Sequence, residues 1–205
     1  AAVTGVANYD MMIIGEVLES TDGLGVFVRP DSPIAQATGY NPSYPNVLGS
    51  PETVKGITML LPIGTAQHFT ALKWLEKLGL GITDVNIVNM DTAQAYQALQ
   101  AKQCDAVSLN VPTFFDAEND GMVQVGNLAD LGTRYVDMVV ANRKAVEGQP
   151  ELVQKYIDCI TEACAALNAD PDMAADLFVE YLKEAGAETT RENCVSDLSR
   201  VNFIE

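Results

Sequence analysis

The sequence predicts an α/β protein with one complete α/β lobe and part of a second. Two observations carry this prediction. Residues 51–130 alternate short apolar runs with helix-period segments, in strand–helix–strand order. The flanks lack that balance: residues 1–30 supply two apolar runs, and 135–205 supply one strand followed only by helical patterns.

Each element has its own signal. Residues 11–18 and 24–29 are apolar runs split by Ser20-Thr21-Asp22-Gly23, so they read as two strands around a turn. Residues 30–52 hold Pro30, Pro33, Pro42, Pro45 and Pro51 among Gly39, Asn41, Asn46 and Gly49. This composition predicts a long connection and the boundary between lobes. A strand at 55–61 precedes a helix at 66–78, with Phe69, Leu72, Leu75 and Leu78 inward and Gly79 ending it. A strand at 85–90 leads to Asp91 or Thr92 as the cap of a helix to about residue 101, with Ala95, Tyr96 and Leu99 inward. A strand at 105–109 follows, then a short helix from Pro112 through Glu118, then a strand at 122–125. This order predicts a parallel sheet with right-handed crossovers.

Residues 135–142 read as a valine-rich strand. Pro150 opens a helix to about Leu167, with Val153, Ile157, Ile160 and Cys164 on one stripe. Asp170-Pro171 forms an N-cap and N1 pair for a helix to Ala185, closed by Gly186. Thr189 or Thr190 caps a last helix ending near Val201. The resulting division is 1–50 as partial first lobe with linker, 51–134 as the second lobe, and 135–205 as return strand and helices of the first lobe.

Composition narrows the function classes. The 205 residues are 48% hydrophobic with mean hydropathy +0.07, as in a globular chain. No run approaches the roughly 20 apolar residues that cross a bilayer, and the first ten residues show no signal-peptide pattern. The net charge of −16 opposes nucleic acid and anionic membrane surfaces. Cys104, Cys159, Cys164 and Cys194 show no CxxC spacing, and His68 is the lone histidine, so neither a zinc site nor any cofactor is expected. The thiols are expected mostly buried and free; a bridge from Cys194 to Cys159 or Cys164 is the alternative.

The most informative stretch runs from Val54 to His68. It reads as strand, glycine turn at Gly64, and helix start at Thr65-Ala66-Gln67-His68. Such a turn presents backbone N–H groups and the positive end of the helix dipole to an oxyanion. Thr65 is either a ligand contact, a plain N-cap, or both. His68 either donates to a ligand or covers the first turn. Ligands of open parallel sheets bind beyond the carboxyl ends of strands. The loops at 63–68, 89–92 and 110–113 are therefore expected to converge, with Asn110 and Thr113 as further contacts and Asp91 as a helix cap. With a single histidine, no Gly-x-Ser-x-Gly elbow and no phosphate loop, binding is favoured over catalysis.

The residues Thr53-Val54-Lys55-Gly56, Pro62 to His68, Leu75 to Leu80, Asp84 to Met90, Ala98 to Ala101 and Cys104 to Val107 also carry a resemblance. In that order the chain resembles the periplasmic substrate-binding proteins of ABC importers, in the nitrate/sulfonate/taurine and thiamine-precursor group. The resemblance implies a type II periplasmic-binding-protein fold with two α/β lobes, hinge-proximal strands around 26–29 and 139–142, and ligand contacts at Thr65, Ala66, Gln67 and His68 beside the Gly64 turn. It carries the contact role further onto Asn110 and Thr113, and it implies a small anionic or polar organic ligand, a membrane permease as partner, and a periplasmic or extracellular, membrane-associated location. Similar proteins are longer, so the chain is expected to be a fragment with half a cleft, weak binding and an exposed first-lobe core available for dimerisation. The competing classes are an effector domain of a transcription regulator and an enzyme resembling thiamine-pyrimidine synthases.

Overall fold

A computed structural model describes residues 2–186 and 189–205. The assignment of Ala1, Ala187 and Glu188 to the first lobe lies outside the described residues. In chain order the elements are α1 (Ala2–Asn8), β1 (Met11–Glu19), β2 (Leu24–Val28), the one-turn helices α2 (Pro33–Gln36) and α3 (Pro51–Val54), β3 (Thr58–Leu61) and α4 (Ala66–Lys77). A 3-10 turn at Ile82–Asp84 leads to β4 (Asn86–Asn89), α5 (Thr92–Gln100), β5 (Ala106–Asn110), α6 (Thr113–Asn119), β6 (Val123–Asn127) and β7 (Val136–Asn142). The chain finishes with α7 (Arg143–Gly148), α8 (Pro150–Ala169), α9 (Pro171–Glu184), α10 (Arg191–Leu198) and β8 (Asn202–Phe203).

These elements form two compact units: residues 21–134, and residues 1–20 together with 135–205. The central unit holds a five-stranded sheet in the order β4-β3-β5-β2-β6. β3 pairs parallel with β4 and β5, as the strand–helix alternation predicts. β2 is antiparallel to both β5 and β6, so the sheet is mixed and not parallel throughout. Every residue of β2 is buried, as expected for a strand covered on both faces. The strand around Val26 to Arg29 is an interior strand of the central unit, which begins at Thr21. One expectation is corrected: the Pro-rich stretch 30–52 is not a boundary, because it folds back onto the same unit. Ile34 and Val47 are buried there, and the Leu48 N–H donates to the Val125 carbonyl at 2.8 Å.

One apolar cluster joins the sheet to α5 and α6 through Phe27, Leu60, Leu99, Val107, Leu109 and Phe114. Alternation along the strands sends Val26, Val28 and Leu61 to the opposite face, where α4 packs on β2 and β5. The buried stripe of α4 is Gln67, Thr70, Ala71, Trp74 and Leu75, while Phe69 is 37% exposed. The expected stripe through Phe69 and Leu72 is thus rotated by about one residue. Small Thr70 and Ala71 admit close approach to the sheet, and bulky Trp74 is fully buried. Its indole Nε1–H donates to the Leu48 carbonyl at 3.0 Å. A Cβ at Gly126 would lie 3.0 Å from its ring, so a glycine is required where the indole crosses β6.

The flanking unit is built differently. Its sheet, β7-β1-β8, is antiparallel throughout. None of its strand residues is fully buried, and Cys164 is the one buried residue of α8. The α8 stripe is nevertheless the expected one: Val153, Ile157 and Ile160 are half-buried and Cys164 donates to the Val17 carbonyl. Asp170 caps α9 by accepting from Met173 N–H at 3.0 Å, and Thr190 caps α10 by accepting from Asn193 N–H at 3.1 Å. Helices α1 and α7 arise where no helix was expected. Cys104, Cys164 and Cys194 are buried free thiols, and Cys159 is free and exposed.

Truncating Trp74 to Ala is expected to cost about 3–5 kcal/mol through lost transfer energy and a cavity, with a smaller loss for Trp74→Phe. Urea unfolding followed by far-UV circular dichroism checks both. In the flanking unit, burial pushes the Asp197 carboxyl from 3.8 up to about 6, opposed in part by the Arg200 charge. The native state therefore binds this proton more tightly than the unfolded chain does, and the group costs stability above pH 6. That cost is relieved as pH falls from 6 towards 4. Asp197→Asn should stabilise by up to about 3 kcal/mol at pH 7 and by well under about 1 kcal/mol near pH 4, measured as paired denaturation curves at the two pH values.

Candidate functional site

The parallel register brings the carboxyl ends of β3, β4 and β5 together, since Leu61 pairs with Asn89 and Met59 with Ala106. Beyond β3 the chain turns at Gly64, whose φ of +83° lies in the region open to glycine. Thr65 follows in extended conformation as the N-cap of α4, its Oγ1 accepting from the His68 N–H at 3.5 Å and donating to the Pro62 carbonyl at 2.6 Å. The Gly64 N–H donates to His68 Nδ1 at 3.2 Å. A nitrogen that accepts cannot carry the proton, so the ring proton sits on Nε2. Nε2 is itself buried with no partner among the described residues. His68 thus braces the glycine turn with one nitrogen and keeps a donor on the other.

Gln67 holds the three loops together. Its side chain is buried, and Nε2 donates to Thr92 Oγ1 at 3.1 Å and to Asn110 Oδ1 at 2.8 Å. The Ile63 N–H donates to Asn89 Oδ1 at 2.8 Å, which ties the first loop to the end of β4 a second time. Asp91 is the N-cap of α5, accepting from Ala93 N–H at 3.1 Å, in the capping role expected of it. Among the described residues no hydrogen bond occupies the N–H groups of Thr65, Ala66 or Gln67. Those donors lie at the positive end of a twelve-residue helix. No charged side chain hydrogen-bonds to Gly64, Gln67, Asn89, Thr92 or Asn110 among the described residues. The site is therefore a ring of neutral dipoles around unspent backbone donors.

The structure thus joins Gly64, Thr65, Ala66, Gln67, His68 and Asn110, and it adds Asn89 and Thr92. Those two stand at the same strand-end positions as Asn110, and that position is the signal that marks them. Thr113 is not tied into this ring. It lines a separate cleft of about 390 Å³ between α5 and α6, with Tyr96, Gln97, Asp116 and Asp120. There burial and the neighbouring Asp120 raise the Tyr96 hydroxyl, which donates to the Asp120 carboxylate at 2.5 Å. No group of three or more metal-ligating side chains occurs among the described residues.

Comparison with known proteins places the fold. The fold is that of type II periplasmic binding proteins. The periplasmic aliphatic sulphonate binding protein SsuA of Escherichia coli superposes with TM-score 0.75 at 19% identity, over 98% of this chain and 65% of that one. The desulfurization enzyme DSZB also superposes, at TM-score 0.60 and 15% identity, over 97% of this chain and 73% of that one. An ABC transporter periplasmic binding protein of Brachyspira hyodysenteriae is 38% identical over 204 residues, 100% of this chain and 59% of its own length. The NMT1/THI5 like family profile matches residues 44–174, and the chain belongs to that family. It spans less than two thirds of the length of the Brachyspira protein and of SsuA.

If Gln67 is the tie between the loops, Gln67→Leu should cost about 1–3 kcal/mol, because Asn110 is left with an unmet acceptor. In a double-mutant cycle with Asn110→Ala the two changes should couple by at least about 0.5 kcal/mol, read from urea unfolding with Trp74 fluorescence.

Proposed function

We propose that the chain is the ligand-contacting part of the solute-binding component of an ABC importer, acting in the periplasm, and that its ligand is a small organic oxyanion of the sulfonate kind. The observation that carries this reading is the cradle at the end of β3: the unspent N–H groups of Thr65, Ala66 and Gln67. His68 Nε2–H, Asn89 and Asn110 are the adjoining donors. A sulfonate or carboxylate oxygen accepts from such a set without any cationic side chain. The family membership and the named relatives support the transport role, and a membrane permease is the partner that role requires. Ligand capture that excludes water strengthens these neutral hydrogen bonds, since their electrostatic part grows as the local dielectric falls.

The reading is of a binding protein and not an enzyme. DSZB shares the fold, so the fold by itself does not separate the two. The site does favour binding: His68 spends Nδ1 on the Gly64 N–H, the nearby Thr65 hydroxyl is committed to the Pro62 carbonyl, and among the described residues no charged side chain hydrogen-bonds to the loops. Neither a basic surface nor a metal-ligating cluster points to a regulator or a metalloenzyme.

Ala66→Pro isolates the cradle. Ala66 is the first residue of α4, where proline is tolerated, and Thr65 at φ −104° and ψ −179° already has a conformation compatible with a following proline. The variant should keep its melting temperature within a few degrees while losing one N–H donor. In ¹H–¹⁵N spectra with millimolar taurine or ethanesulfonate, the wild-type amides of Thr65, Ala66 and Gln67 should shift saturably. Affinity in Ala66→Pro should fall at least about fivefold, the weight of one hydrogen bond to a charged acceptor. Shifts confined to residues away from 64–68, or an unaltered affinity in Ala66→Pro, would sink the assignment.

A further inference from the structure

The cradle at the end of β3 has a hydrogen-bonding polarity that its own backbone sets. Two successive N–H groups of the β3–α4 loop are tied to side chains. The Ile63 N–H donates to Asn89 Oδ1 at 2.8 Å, and the Gly64 N–H donates to His68 Nδ1 at 3.2 Å. A backbone N–H cannot accept, so each tie fixes which end of the side chain is spent. Asn89 is left with its Nδ2 hydrogens and His68 with its Nε2 hydrogen, and neither nitrogen has a hydrogen-bond partner among the described residues. The Thr65 hydroxyl is spent in both senses, accepting from the His68 N–H and donating to the Pro62 carbonyl. Gln67 Nε2 takes the side-chain oxygens of Thr92 and Asn110 in the same sense. Asp91 is the one carboxylate in the loops at 63–68, 89–92 and 110–113, and its Oδ1 is turned to the Ala93 N–H of α5. Side-chain acceptors are thus consumed between the loops while donors are left over. All of these bonds lie inside the central unit.

We propose that Asn89 is a specificity-determining residue of the cradle: held by the Ile63 N–H, it makes the site select oxyanions that carry no proton, such as sulfonates, over singly protonated oxyanions of the same charge and shape, such as phosphonates. This rests on the reading of the cradle as an oxyanion site and adds what that site excludes. Ethanesulfonate and singly ionised ethylphosphonate both carry one negative charge on a tetrahedral head. The sulfonate has three oxygens that only accept. One phosphonate oxygen bears a hydrogen, and that hydrogen needs an acceptor. Against the Asn89 Nδ2 or His68 Nε2 hydrogens it meets another donor, so a hydrogen bond is lost where the sulfonate makes one. A site built for one donor–acceptor pattern rejects a ligand that breaks the pattern more strongly than shape alone does. Charge does not separate the two ligands, because it is equal. The direction in which the Asn89 amide is held does.

Ethanesulfonate and ethylphosphonate, titrated into the whole chain at mildly acidic pH where the phosphonate keeps one proton, test the assignment through the ¹H–¹⁵N signals of Thr65, Ala66 and Gln67. The wild type should bind ethanesulfonate at least about fivefold more tightly. Asn89→Asp keeps an oxygen for the Ile63 N–H and puts an acceptor where Nδ2 stood. It should weaken ethanesulfonate at least about tenfold and bring the sulfonate-to-phosphonate preference to parity or below, because the phosphonate hydrogen now has a carboxylate to meet. Asn86→Asp, at the other end of β4, adds the same charge away from the cradle and should leave the wild-type preference in place. Equal affinities in the wild type would overturn the proposal and leave the oxyanion reading intact. So would a sulfonate preference that survives Asn89→Asp, or one that Asn86→Asp abolishes as well. Absence of saturable shifts at 65–67 with either anion would overturn both readings. Thermal melts of the two variants confirm that they are folded, and the wild-type preference tests the proposal without either.

Discussion

Parallel pairing of β3 with both β4 and β5 is the constraint from which the central unit follows. Parallel neighbours need crossovers, and the crossovers here are α4 and α5, which cover the two faces of the sheet. Three strand ends then lie side by side at one edge, each followed by a loop and a helix start. The polar residues at that edge have no ladder partner beyond the last pair, so they bond one another. Gln67 donates to Thr92 and Asn110, and Asn89 accepts from Ile63. The same geometry leaves the first N–H groups of α4 unspent, because a helix cannot satisfy its own first turn. Cradle and scaffold are consequences of one pairing pattern.

The two units differ in how their sequence is used. In the central unit the sheet is covered on both faces, and Trp74 fills the space left by Gly126 and reaches back to Leu48. In the flanking unit the strands are at most half-buried, while three helices bury small residues and thiols. The exposed ion pairs of Arg191 with Asp172 and Asp176 link α10 to α9, but pairs this exposed contribute little.

Much of this was legible in the chain. The helix starts at Asp91, Asp170-Pro171 and Thr190 follow from cap chemistry, which is local: a short polar side chain reaches N–H groups two or three residues on. The strand–turn–helix at Gly64-Thr65 follows from the same local rules, and so does the 3.6-residue stripe of α8. The placement of β2 was not legible. Leu24 to Val28 reads as a buried strand in any sheet, and nothing within it states that its neighbours are β5 and β6. Proline content suggested a boundary at 30–52, but proline marks irregular backbone and carries no information about what that backbone packs against. The inward face of α4 is as expected at Leu75 and Leu78 and differs in its first turn for a related reason. Phe69 is more apolar than Thr70, yet the sheet surface accepts the smaller side chain and leaves the ring outside beneath Lys73.

What the sequence determined by itself is therefore the list of elements, their caps, and the glycine turn that opens the cradle, since each depends on residues within one or two helical turns. Only the tertiary structure decided which strands pair, that Gln67 and not Thr113 is tied to Asn110, and that Asn89 and Thr92 join the same hydrogen-bonded loops. Those outcomes depend on contacts spanning 25 to 43 residues at the site. Such contacts exist only after the sheet has chosen its order, and that choice is made by burial summed over the whole unit.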